Sequence, residues 1–345
     1  MNISANNGEP QYKKDPVYRY TSIIVPALMA VTILLLFWYS KDQILVEEPR
    51  TITVYCFSAM EPVMEQGILP AFQDYWEKHH DERVEFITTF AGSGVVTKQI
   101  MTKLPVEIAI LSSELDARRL LSRGIITNSD WQELHERDKL CRTPVVLFVR
   151  DSNQASIKSF DEIDYDALSI SIPDPLTSGV GQMVSLAIYG SYLRNGYSHN
   201  QALESLIVDY SRAQYHPTTS QGAMELFHAG LGDISINYEA ARAYHQGISD
   251  VTIVYPDVML VAEPVIVAIK RNIDPDQVEI TSAFLDFMQS KDIQLQLSVY
   301  GFQTINTSEE PGFVQAPKKD IFTLDSLGTA NELNRSIIDK LLTRK

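Results

Sequence analysis

Residues 84–101 most restrict the folds open to this chain, because a strand, a Gly-Ser-Gly turn and a helix follow one another there without a spacer. Residues 84–88 (Val-Glu-Phe-Ile-Thr) alternate and are rich in β-branched side chains, which predicts a strand. Val95, Val96, Ile100 and Met101 recur at helical spacing. Between them Gly92, Ser93 and Gly94 let the backbone turn with its N–H groups pointing outward, at the positive end of the new helix. Ser93 adds a hydroxyl that can donate a hydrogen bond. Such a turn is a receptor for an anion that brings no cation with it. On its own it is equally a plain helix start, so the rest of the chain has to decide.

The strand–helix alternation repeats to the C-terminus, which predicts an α/β architecture with parallel sheets. A first strand is expected over 51–56, then a helix over 61–79 with Val63, Ile68, Phe72, Tyr75 and Trp76 on one face. Gly67 and Pro70 are points where that helix could be interrupted. Residues 106–111 are nearly continuously apolar, as in a strand buried on both faces. A helix over 113–122 follows, capped by Ser112 or Ser113 and ended at Gly124. Further strands are expected over 144–150, 167–172, 233–237, 251–255 and 265–269. Helices are expected up to 195, over 201–212, up to 229, within 275–299 and over 329–342, with 306–322 loop-like.

Four junctions place a small hydroxyl residue where a helix begins: Ser58, Ser93, Ser178 and Ser220 with its neighbour Thr219. Ligands of open α/β sheets bind at the carboxyl ends of the strands, so two such sheets facing each other would aim all four junctions at one point. Neutral N–H and O–H donors could then replace the water around an oxyanion while helix dipoles help to carry its charge. Favourable N-capping accounts for any one of them without a ligand.

The formal net charge of −15 over 345 residues argues against nucleic acid and anionic lipid surfaces as partners. It also requires any anion site to be local. Cys56 and Cys141 form no disulfide framework and no metal-spaced cluster; they either pair with each other or stay as two buried thiols. Residues 22–39 are uncharged and about long enough to cross a bilayer, with Lys13, Lys14 and Arg19 before them and Asp42, Glu47 and Glu48 after. This predicts a cytoplasmic tail over 1–20, an uncleaved transmembrane signal anchor over 21–40, a tether over 41–49 and an exported remainder.

Five segments in order resemble the sulfate/thiosulfate-binding branch of the periplasmic solute-binding proteins that serve ABC transporters, relatives of the molybdate-binding proteins. They are 90–94 with 106–111, 143–150, 174–179, 232–239 and 260–265. Glu107 stands where the family usually has Asp. The resemblance implies the two-lobed type II fold, with lobe one over 50–143 plus 268–345, lobe two over 144–267, and crossovers near 141–144 and 264–268. Carried over residue by residue, it assigns ligand contacts to Ser58, Ser93, Ser178, Gly179, Val180, Ser220 and Tyr238. Tyr238 stands where sulfate binders have Trp and molybdate binders have Tyr, and the Ser58 loop is more like the molybdate relatives, so the identity of the oxyanion stays open.

Sulfate is favoured over phosphate because phosphate keeps a proton near neutral pH and rewards a carboxylate acceptor, which would repel sulfate. Glu61, Asp174 and Glu239 lie near the matched positions, and any of them pointing inward would overturn this preference. His79, His80, His216 and His245 lack metal-binding spacing, Lys98 sits in no phosphate-binding loop motif, and neither Ser93 nor Ser178 stands in a nucleophile elbow. The expectation is therefore a monomeric protein without cofactor or catalysis that captures a small oxyanion for an ABC permease. An anchored oxyanion sensor is the alternative.

Overall fold

The computed structural model describes residues 16–44, 48–136, 139–153, 157–245, 250–304 and 320–343. The expectations for residues 1–15, for 45–47 of the tether and for 305–319 of the tail, together with the side chain of His245, fall outside the described residues. The chain divides into two units, Met1–Glu48 and Pro49–Lys345.

The first unit holds one helix, Pro16–Ile44. Its described side chains, residues 24–39, are all exposed, including Leu34, Phe37 and Trp38. Thr32 donates its hydroxyl to the Leu28 carbonyl at 2.8 Å, one turn back along the helix. Among the described residues no helix is long and apolar enough to cross a membrane. Side chains 21–23 and 40 of the expected anchor lie outside that description.

The second unit carries ten described strands: β1 (Arg50–Phe57), β2 (Val84–Ala91), β3 (Ile108–Leu111), β4 (Thr143–Arg150), β5 (Ile170–Ser171), β6 (Ile234–Tyr238), β7 (Val251–Val254), β8 (Val258–Ala262), β9 (Val265–Ala268) and β10 (Asp320–Phe322). They form two sheets, ordered β2-β1-β3-β9 and β10-β8-β4-β6-β5, with β7 also on β4. The all-parallel expectation needs correcting. β1 runs parallel to β2 and β3, but β9 is antiparallel to β3, and β4 is antiparallel to β6, β7 and β8. The cause lies in the crossovers. The outgoing chain and the returning chain run side by side: Leu140 N–H donates to the Pro264 carbonyl at 3.2 Å, and Thr143 and Pro144 pair antiparallel with Ala262 and Val261. A chain that returns beside its own exit must enter the first sheet in the opposite sense.

Two short strands also differ from expectation. β10 occupies the end of a segment expected to be loop, and β8 was not foreseen as a strand. β10 pairs with β8, so residues 320–322 belong to the second sheet although their neighbours in sequence were grouped with lobe one. The helix expected over 61–79 is Glu61–Val63, a π-helical stretch Met64–Ile68 and Leu69–His80. Gly67 lies in the π-helical stretch, where a Cβ would meet the Gln296 side chain at 2.9 Å. Pro70 lies directly after the π-helical stretch, at the second residue of Leu69–His80. Phe72 packs edge-on against Phe284 and Phe86 at centroid distances of 5.0 and 5.9 Å, joining this helix to the first sheet and to Val278–Phe287. Cys56 and Cys141 are free buried thiols, and burial pushes both well above the usual thiol range.

Candidate functional site

The four hydroxyl junctions sit at the ends of elements from both sheets, and their packing brings them together. Ser58 opens a short turn, Ser58–Met60, directly after β1; this turn packs against the helix Ser220–His228, and the Ser58 carbonyl accepts from Tyr244 Oη. Ser93 begins the helix Ser93–Met101 after β2. Ser178 is the N-cap of Gly179–Arg194, its Oγ accepting from Gly181 N–H at 3.2 Å. Thr219 caps Ser220–His228 in the same way, accepting from Gly222 N–H at 2.9 Å. Capping does not use up Ser178: a hydroxyl that accepts from its own helix still has a proton to give.

The second and third junctions are in contact across the two sheets. A Cβ built at Gly92 would lie 2.3 Å from the Thr177 carbonyl and 2.8 Å from that of Thr218. One built at Gly94 would meet the Leu176 carbonyl at 2.9 Å. The demand for glycine is thus one of close approach, since neither residue has a positive φ. Val95 N–H reaches across to the Thr177 carbonyl at 3.3 Å. Gly179 faces the other way, and a Cβ there would lie 2.7 Å from Ser93 Cβ and 1.8 Å from Ser112 Oγ. In the first turn of their helix, the Gly179 and Val180 N–H groups have no carbonyl of that helix to bond. The same holds for Ser220 N–H, whose hydroxyl donates to Asn237 Oδ1 at 2.7 Å.

Tyr238 ends β6 and is fully buried. Its hydroxyl points back to the first sheet, donating to the Ser112 carbonyl at 3.4 Å. Burial, and then the nearby Asp116 carboxylate, push its pKa well above the usual phenol range, so it remains a neutral donor.

Two of the carboxylates picked out by sequence, Asp174 and Glu239, are occupied elsewhere. Asp174 Oδ1 accepts from Leu176 N–H at 2.9 Å. Glu239 accepts from Tyr255 Oη at 2.7 Å and from Gln303 Nε2 at 3.3 Å. Burial raises the Glu61 pKa, with Glu65 and Glu225 adding to the effect. The carboxylate that does reach the junctions is Asp116, which sequence reasoning missed. Fully buried in Glu114–Ser122, it accepts the Ser93 hydroxyl proton at 2.5 Å and pairs with Arg119 at 2.8 Å. Ser93 therefore spends its proton behind the turn rather than into the cleft, and its oxygen accepts from Ser112 N–H at 3.2 Å. In sequence, Asp116 reads as an ordinary acid in a helix's first turn, a favourable place for any carboxylate. No signal there separated it from its neighbour Glu114.

Among the described residues no group of three or more His, Cys, Asp or Glu is arranged to hold a metal ion. Taken together, the junctions offer backbone N–H groups and neutral hydroxyls from both sheets, with one carboxylate already paired behind them.

The profile of the bacterial extracellular solute-binding proteins matches residues 52–303. The chain is 26% identical over 210 residues to the thiosulfate-binding protein of Pseudomonas aeruginosa, covering 59% of this chain and 63% of that protein, so it spans less than two thirds of that relative's length. It is 21% identical over 311 residues to the sulfate-binding protein of a Synechocystis species, covering 86% of this chain and 88% of that one. Among solved structures, the sulfate-binding protein SubI from Mycobacterium tuberculosis shares the fold with a TM-score of 0.72 at 21% identity, over 83% of this chain and 99% of that chain.

Proposed function

This chain belongs to the bacterial extracellular solute-binding protein family, and from that premise we propose that it captures a tetrahedral, fully ionised oxyanion, sulfate or thiosulfate, and delivers it to an ABC permease. The observation that carries the proposal is the meeting of uncharged donors at one place: Ser178 Oγ and the Gly179, Val180 and Ser220 N–H groups, with Ser58 and Ser93 on the facing loops and Tyr238 tying the two sheets together through its hydrogen bond to the Ser112 carbonyl. Neutral donors suit an anion without a proton. Asp116, the carboxylate at these junctions, is already engaged by the Ser93 hydroxyl and by Arg119, which disfavours it as the acceptor that the proton of hydrogen phosphate would need. The names of the sulfate- and thiosulfate-binding relatives agree with this choice. We read no catalytic step: the donors bind, and the anion leaves unchanged. One chain supplies every donor, so a monomer suffices.

Ligand exchange then requires the two sheets to separate. The adjacent crossovers at 141–144 and 264–268 are the short connections about which lobes over 50–143 plus 268–345 and over 144–267 would swing, with 320–322 contributing to the second.

Calorimetric titration of the whole chain with sulfate, thiosulfate, molybdate, tungstate and phosphate tests the proposal. Sulfate or thiosulfate should bind most tightly and phosphate at least tenfold more weakly. Ser178→Ala should weaken the preferred anion by roughly 10–100-fold, the effect of a donor withdrawn from a buried anion. Preference for phosphate, or an unchanged Ser178→Ala affinity, would sink the site as drawn.

The same reading includes the uncleaved anchor over 21–40, supported by the charges that flank it and by the exposed apolar side chains of residues 24–39. The chain should sediment with membranes and resist an alkaline carbonate wash. Recovery of the intact chain in the soluble fraction would dismiss the anchor and leave the binding function standing.

A further inference from the structure

Ser112 is the residue immediately beyond β3, at the carboxyl end of the strand. It is fully buried, and among the described residues its Oγ has no hydrogen-bond partner. A hydroxyl kept from water without a partner carries a desolvation cost that a protein ordinarily avoids, which points to a partner supplied from outside the chain.

The surroundings of that hydroxyl say which partner. Ser112 Oγ is the atom nearest to a Cβ built at Gly179, at 1.8 Å, so it lies against the first turn that offers the Gly179 and Val180 N–H groups. Its own N–H donates to Ser93 Oγ at 3.2 Å, and its carbonyl accepts from Tyr238 at 3.4 Å. Ser93, the hydroxyl expected to donate into the cleft, gives its proton to Asp116 at 2.5 Å, and Arg119 holds that carboxylate in place at 2.8 Å. Besides the N-cap Ser178, the hydroxyl beside this turn with a proton still to give is that of Ser112.

We infer that Ser112 Oγ donates directly to the bound oxyanion, and that Ser93 acts as a positioning residue, its oxygen holding the Ser112 backbone in place. This inference rests on the oxyanion-binding function proposed above and adds to it a donor on β3. It also explains why Gly179 must lack a side chain: the space a methyl would fill belongs to the Ser112 hydroxyl.

Titration of the whole chain with sulfate and thiosulfate, for wild type and Ser112→Ala, tests the inference alongside ligand-free melting. Ser112→Ala should bind the preferred anion at least about tenfold more weakly, while its ligand-free melting temperature stays equal or rises, because the alanine buries no unpaired oxygen. Opposite signs in the two readouts distinguish a ligand donor from a structural hydroxyl. Wild-type affinity in Ser112→Ala overturns the inference and leaves the oxyanion function intact. Weaker binding with a lower ligand-free melting temperature also overturns it, since the hydroxyl would then have a structural partner. A wild-type chain that binds neither anion removes the underlying function and the inference with it. Ser112→Cys, which replaces the hydroxyl by a larger and poorly donating thiol, provides the same comparison of affinity should the alanine variant fail to fold.

Discussion

Replacing Gly179 by alanine is expected to cost at least 100-fold in oxyanion affinity, about 2.8 kcal/mol. The new methyl would lie 1.8 Å from Ser112 Oγ, 2.7 Å from Ser93 Cβ and 2.9 Å from Ser112 Cβ. Rotating the Ser112 hydroxyl away relieves the first contact. The other two involve carbon atoms anchored to the backbone, so the loops carried by the two sheets must move apart. Helix propensity does not oppose the change, because alanine suits the first turn of Gly179–Arg194 at least as well as glycine. Gly222→Ala is the matched control, at the start of another helix, where a Cβ meets only Thr219 Oγ1 at 3.2 Å and Pro217 Cβ at 3.7 Å. Calorimetry with sulfate and thermal melting of both variants check the expectation. Wild-type affinity in Gly179→Ala would show that the close approach of these loops has no part in binding.

Stability should respond strongly to the carboxylate of Asp209, which is buried in the helix His199–Arg212 with one oxygen accepting from Tyr192 Oη at 2.6 Å. Burial pushes its pKa from 3.8 up to about 6, against the lowering effects of the Tyr192 hydrogen bond and of Arg212. A carboxyl that holds its proton more tightly when folded stabilises the protein most fully below its unfolded pKa, and that contribution is lost as pH rises through about 6. Above that pH the fold carries a buried charge. Asp209→Asn should therefore raise stability at about pH 8 by about 1–3 kcal/mol and flatten the pH dependence between the two pKa values. The asparagine oxygen can still accept from Tyr192, and the buried, unpartnered Tyr165 hydroxyl is at hand among the groups that sense Asp209. Urea unfolding at about pH 4.5 and about pH 8 measures both effects. A variant less stable than wild type at the higher pH would mean that the charged hydrogen bond outweighs the burial cost.

Much of the fold was legible because short segments carry their own preferences. The alternation of Ile52, Val54 and Cys56 against half-buried neighbours placed β1, and the apolar run before Ser112 placed β3. Ser178 and Thr219 announced helix starts by side-chain chemistry alone, and both make the capping bond. Gly124, with its positive φ, closes the helix Glu114–Ser122 where expected. Strand direction was not legible. Whether β9 runs with or against β3 depends on where the returning chain re-enters, and no window of residues around Val265 contains that information. β10 was missed for a related reason: three residues have too little pattern to read, and β8 is what makes them a strand.

At the candidate site, the residues matched by family resemblance come from both sheets and meet at helix starts, whereas Ser112 and Asp116 were visible only as a helix cap and a first-turn acid. Local sequence decides where each helix begins, and so which N–H groups and hydroxyls stand at its end. That is a balance of neighbouring dihedral and capping energies, written within a few residues. Tertiary structure alone decides which of those ends face one another, which hydroxyl spends its proton on Asp116, and which one is left without a partner. Those outcomes depend on contacts between residues such as 112, 179 and 238, whose proximity is set by long-range packing of two sheets rather than by any preference of the residues themselves.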